Sequence, residues 1–182
     1  MSKEKTLEAI QEINKLYSDA GYDDVGQFMR NVAATESNLG TDRLGDYSFG
    51  ASQIDPIRYK DIVQRATGKE GAKRVKIANE YLQKKLNRPD FDILNLNLLK
   101  ENHNPYISAA LTRMGLLNIP SKVPKDLEGQ ADYWKRNWNT MEGEGTRKHF
   151  IKQSQFHQPS IEDDMSIDDI VNPAYQNIFD IG

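Results

Sequence analysis

Cysteine is absent from the 182 residues of this chain, and with it go disulfides, thiolate metal sites and cysteine nucleophiles. Its absence does not identify a compartment. Histidine is scarce: His103, His149 and His157 form no metal-ligand spacing, so neither a zinc site nor any other cofactor is expected. There is no Gly-x-Ser-x-Gly elbow, phosphate-binding loop or dinucleotide fingerprint. No apolar run approaches the roughly 18 residues of a membrane-spanning helix. Met1 to Lys5 is polar and leads directly into an amphipathic pattern, without the apolar centre of a secretory signal. No internal repeat is visible.

What remains is polar but globular. Hydrophobic residues make up 37% and charged residues 28% of the chain. That is far from a disordered composition, and the length suits one well-cored domain. The formal charge of −3 is unevenly placed. Residues 161–182 hold six acids (Glu162, Asp163, Asp164, Asp168, Asp169, Asp180) and no Lys or Arg. The rest carries 24 basic against 21 acidic residues, a balance of +3. The expected organisation is a folded body over 1–155 and an acidic C-terminal tail or linker over 156–182. The basic stretch Lys69 to Lys76 reads as a solvated helix face rather than a nucleic-acid patch.

Helical periodicity dominates the body. Leu7, Ile10, Ile13 and Tyr17 predict a first helix ending near Gly21. Val25, Phe28, Met29, Val32 and Ala33 follow the i, i+3, i+4, i+7, i+8 template and predict a second from Asp24 to Ser37, with Gly40 as its stop. Thr41 to Gln53 changes character. Gly45 and Gly50 punctuate it, and Tyr47, Phe49 and Ala51 alternate with small or polar residues, which predicts a loop with a short β-hairpin. Asp55-Pro56 opens a third helix, closed by Gly68, and Val75, Ala78 and Leu82 mark a fourth. A shorter helix is expected over Phe91 to Lys100, and one starting at Asn104-Pro105 carries Ile107, Ala110, Leu111 and Met114. Leu127, Ala131, Trp134 and Trp138 mark another, and Thr146 to Gln155 the last.

One residue breaks the pattern. The apolar stripe 25, 28, 29, 32 continues to Glu36, which places a carboxylate on the buried face of its helix. Desolvation there favours the neutral acid. The helix C-terminus adds partial negative charge, which disfavours a carboxylate further. Both effects raise the pKa, as a group that protonates a glycosidic leaving oxygen requires. Periodicity alone leaves open a frayed last turn with a solvated Glu36.

The neighbouring residues favour the first reading. Thr35-Glu36-Ser37-Asn38-Leu39-Gly40 resembles the Glu-Ser motif that ends the catalytic helix in the lysozyme superfamily, in its goose-type and lytic-transglycosylase branch and phage relatives. Ser48-Phe49-Gly50-Ala51-Ser52-Gln53-Ile54 is similar to the family's Gly-Ala-x-Gln-hydrophobic motif. Trp134-Lys135-Arg136-Asn137-Trp138-Asn139-Thr140, followed by Gly143-Glu144-Gly145-Thr146, resembles the aromatic-Asn-Thr segment of phage wall hydrolases. The resemblance covers Asp24 to Phe150. Two departures stand out: Ala51-Ser52-Gln53 replaces Leu-Met-Gln after the glycine, and Trp138-Asn139-Thr140-Met141 replaces Tyr-Asn-Ala-Gly.

The resemblance implies a mostly α, lysozyme-like (α+β) fold, with helices bundled around a central helix and a short β-hairpin beside the cleft. It implies an enzyme, a muramidase or lytic transglycosylase, that cuts the β-1,4 bond between N-acetylmuramic acid and N-acetylglucosamine in peptidoglycan. Glu36 would be the general acid. Asp46 is the preferred second carboxylate over Asp42 and Asp55, and its separation from Glu36 would decide between a covalent intermediate and an activated water.

Ser37, Tyr47, Gln53, Trp138 and Asn139 are the expected substrate contacts. Gln53 and Asn139 would supply hydrogen bonds, and Tyr47, Phe49 and Trp138 rings for sugar faces. Backbone capping for Ser37, Gln53 and Asn139, and core packing for the aromatics, are the alternatives. A phage endolysin would pass from the host cytoplasm to the periplasm or wall, and a virion-associated lysin would arrive with the particle. The acidic tail offers a place for a virion or other protein partner; neither nucleic acid nor membrane insertion is expected. A non-catalytic wall-binding or virion structural module on the same fold is the competing reading.

Overall fold

The structure, a computed structural model, describes residues 1–42, 48–139 and 145–158. Ser2 caps α1 (Lys3–Asp19) by accepting from Lys5 N. The helix α2 (Gly26–Ser37) has no side-chain cap of its own. Its start is pinned to α1 instead: Val25 N donates to Asn14 Oδ1, and Asn14 Nδ2 and Gly26 N donate to Asp24 Oδ1. Asp55, as expected, caps α3 (Pro56–Arg65), with proline in its first turn. Gly68 does not close α3. Ala66 does, and Gly68 opens α4 (Gly68–Lys85).

The axis of the body is α6 (Pro105–Leu117), started by Asn104 and proline and buried continuously from Ile107 to Leu116. Helices that are apolar all round belong inside. This one packs against α1, α2, α3 and α4. On the other side α2 lies against α8 (Arg147–Phe156), which also meets α7 (Leu127–Trp134). The core therefore runs from Ile13 and Tyr17 through Leu111 and Met29 to Phe28, Trp134 and Phe150.

Three sequence expectations are corrected. A helix over Phe91 to Lys100 shrinks to the single turn α5 (Leu98–Glu101). The preceding backbone is held by side chains: Ile93 N donates to Asn79 Oδ1, Leu96 N to Tyr59 Oη, and Tyr59 Oη to Ile93 O. Helix α7 does not run unbroken to Trp138 but passes at Lys135 into a π-helical turn over Lys135–Asn139.

The β-hairpin, finally, is not found among the described residues. Phe49 and Ile54 form one isolated antiparallel bridge around a tight turn, with no strand beside it among the described residues. Gly50 and Gln53 are both left-handed (φ +67° and +47°), and directly after Ile54 the chain turns into α3, capped by Asp55, so no ladder extends beyond Ile54. Residues 43–47, and with them Asp46 and Tyr47, lie outside the described residues, as does the acidic segment from 159 onward.

Candidate active site

Glu36 occupies the last turn of α2, and the chain leaves it through three consecutive left-handed residues, Asn38, Leu39 and Gly40 (φ 50°, 58° and 81°). Such backbone is costly for a buried leucine and persists only where surroundings enforce it. Two backbone bonds close the helix end, Asn38 N to Ala34 O and Leu39 N to Ala33 O. Leu39 is fully buried, which anchors the reversal.

The carboxyl group of Glu36 is largely covered. Its Oε1 accepts a 2.9 Å hydrogen bond from the indole Nε1–H of Trp134. Burial pushes its pKa up from the ordinary 4.5 to about 7, against smaller downward pulls from the Trp134 hydrogen bond and the Arg58 charge. Near neutrality a large share of the molecules therefore hold this proton and can give it away. Trp134 is itself fixed: it is buried, its ring packs 5.2 Å from that of Phe150, and Gly145 leaves it the space a side chain would fill.

The Gly-Ala-Ser-Gln segment forms the wall beside α2, and its backbone groups are shared out among neighbouring elements. Gly50 N donates to Asn102 Oδ1 (2.8 Å) and Ala51 N to Ser108 Oγ of α6 (2.9 Å). Ala51 O accepts from Ser37 Oγ (2.6 Å) and Ser52 O from Trp138 Nε1 (3.2 Å). Only glycine fits at position 50, because a Cβ there would lie 2.2 Å from Ser108 Oγ.

Several of the expected substrate contacts have partners within the protein. Ser37 is buried; besides reaching Ala51 O it accepts from Gly40 N (2.8 Å), so its hydroxyl ties the helix end to the wall. Trp138 and Phe49 are likewise buried, the core alternative for both. Gln53 Nε2 donates to Gly50 O (3.0 Å), a turn-closing bond, while its side chain stays partly exposed. Asn139, also partly exposed, accepts from Lys135 Nζ (2.9 Å). Of the carboxylates weighed as partners, Asp55 caps α3 and Asp42 accepts from Asn38 Nδ2.

Sequence reading missed two groups. Trp134 registered as a helix-face residue and as the start of a motif but not as a partner of Glu36, and Arg58 not at all. Arg58 points inward from the first turn of α3, with its guanidinium 4.1 Å over the ring of Trp138 and its Nη2 donating to Trp138 O (2.9 Å) and Asn137 O (3.3 Å). No part of the sequence pattern announces this, since Ile57 beside it is exposed. A separate cleft of about 340 Å3 between α2 and α8 is lined by Thr35, Asn38, Lys152 and Phe156, adjoining the site without including Glu36. Among the described residues no cluster of His, Cys, Asp or Glu is arranged to hold a metal ion.

No protein-family model, curated protein or solved structure matches this chain.

Proposed function

We propose that this chain cleaves the glycan strands of peptidoglycan at the β-1,4 bond between N-acetylmuramic acid and N-acetylglucosamine, with Glu36 as the general acid. The observation that carries the reading is the largely covered carboxyl group of Glu36, oriented by one indole at the end of an otherwise apolar helix face, where burial raises its pKa. With Oε1 accepting from Trp134, the proton is left on Oε2, free to pass to the glycosidic oxygen. Protonation makes that oxygen a leaving group as positive charge develops at the muramic C1.

The carboxylate so formed then accepts a proton from the group that attacks C1. If that group is water, the product is a reducing end; if it is the muramic 6-hydroxyl, the product is a 1,6-anhydro ring and no second carboxylate is needed. The charged neighbour of Glu36 among the described residues is a cation, Arg58. Delivery by phage, as an endolysin or with the virion, belongs to the same proposal.

The test is release of soluble fragments from purified peptidoglycan, analysed by mass spectrometry, with Glu36→Gln beside the wild type. The expected result is release by the wild type and a loss of roughly 100- to 10,000-fold in the variant, the usual contribution of a positioned acid. Equal release by the two proteins, or none by folded wild type from several wall types, overturns the proposal.

A further inference from the structure

The π-helical turn Lys135–Asn139 follows Trp134 and contains Trp138, and each tryptophan holds one ionisable side chain delivered by a different element. Trp134 binds the Glu36 carboxyl from α2 through its N–H. Trp138 carries the Arg58 guanidinium from α3 on its ring face, and the same guanidinium is tied to the turn's own carbonyls at 137 and 138. A wider π turn inserted in an α-helix marks functional sites more often than structural ones. Arg58 spends these donors on backbone oxygens, so it faces Glu36 as a neighbouring charge rather than as a hydrogen-bond partner.

A half-buried cation so firmly held needs a reason. Stacking and two carbonyls satisfy hydrogen bonds, but they do not balance a full positive charge. The charges that face it are Asp55 and Asp61 on its own helix, Glu36 from α2, and the phenol of Tyr133 on α7. Glu36 in turn is met by Trp134 from α7 and by Arg58 from α3. Below about pH 7 the acid is mostly neutral until it reacts. On giving up its proton it becomes an anion in a desolvated site, the state that most needs a fixed opposite charge.

We propose that Arg58 is a positioning and charge-compensating residue for Glu36, clamped to Trp138 and the π-helical turn so that the carboxylate formed in the reaction meets a cation already in place. The inference rests on the catalytic reading of Glu36. It adds that the site is built for both protonation states of one carboxyl group, the donor before bond cleavage and the acceptor after it.

The experiment follows the Glu36 carboxyl carbon by NMR titration in protein labelled at glutamate, comparing wild type with Arg58→Gln and Arg58→Lys. Loss of the cation in Arg58→Gln moves the Glu36 midpoint upward by about one pH unit. Arg58→Lys, which keeps the charge and loses the planar fork, leaves it near the wild-type value. If Arg58 only seals the wall, both variants admit water and the midpoint falls toward the ordinary carboxylate range, which overturns the proposal. An unmoved midpoint in Arg58→Gln overturns it too. Should Arg58→Gln fail to fold, Arg58→Lys alone still separates an unchanged midpoint from a fallen one.

Fragment release read in parallel shows kcat falling about 10- to 100-fold in Arg58→Gln with KM little changed, and partial recovery in Arg58→Lys. Inactive wild type with an upward midpoint in Arg58→Gln would sink the catalytic reading while leaving the charge coupling intact.

Discussion

Folded, Glu36 keeps its proton to a pH of about 7; unfolded, it gives the proton up near 4.5. Folding therefore takes up a proton between those values. The stability this residue contributes is fully present below 4.5 and is lost as pH rises through 7. Glutamine has the same shape and no charge to desolvate. Glu36→Gln is thus expected to be more stable than the wild type at pH 8, by up to about 3 kcal/mol, and indistinguishable from it at pH 4. Denaturant unfolding at the two pH values checks this without reference to activity. A gain of the same size at both would mean that packing, not charge, is responsible.

That Glu36 faces inward could be read from the sequence, because a 3.6-residue period projects it onto the face of Phe28, Met29 and Val32. Its partners could not. Trp134 is 98 positions away, and Arg58 occupies a first-turn position that ordinarily points to solvent. Local pattern gives the face of a residue, whereas these contacts depend on how distant elements dock.

At the scale of elements, the wall 49–54 behaves as a single part clamped from several sides. Gly50→Ala combines a left-handed φ with a side chain driven against Ser108, and is expected to cost roughly 2–4 kcal/mol. Ser37→Ala strips the buried Ala51 carbonyl of its donor and is expected to cost about 1–3 kcal/mol. Thermal unfolding measures both. Fragment release should fall in the Ser37 variant as well, since the helix end carrying Glu36 is no longer tied to the wall. A full loss of stability with unaltered turnover would argue that the wall supports the fold and not the site.

The helices themselves were legible. Capping residues and proline announced α3 and α6, and an apolar stripe announced α2. The failures share one cause. The expected hairpin became a one-bridge turn and the expected helix at Phe91 became a braced loop, because side chains from elsewhere (Ser108, Ser37, Asn79, Tyr59) supplied the hydrogen bonds that a ladder or a helix would have made locally. Alternation and periodicity report which faces are apolar; they do not report who satisfies the backbone.

Across the whole molecule, α6 supplies the axis on which α1, α3 and α4 rest, while α2 joins that half to the pair α7 and α8. Glu36, the wall, Arg58 and the π-helical turn meet where the two halves join, so the site exists only when both are assembled. The wall's hydrogen bonds follow the same logic, and this has a consequence for exchange with solvent. Loop amides ordinarily swap their hydrogens through small local openings. The Ala51 amide, bonded to a buried serine of the central helix, has no such shortcut: freeing it means parting the turn from α6. In deuterated water it should exchange as slowly as the amides of α6 itself, with the free energy of global unfolding, while Thr41, on the exposed side of the α2 terminus, exchanges early. A chain segment with no regular secondary structure would then rank among the last parts of the protein to open.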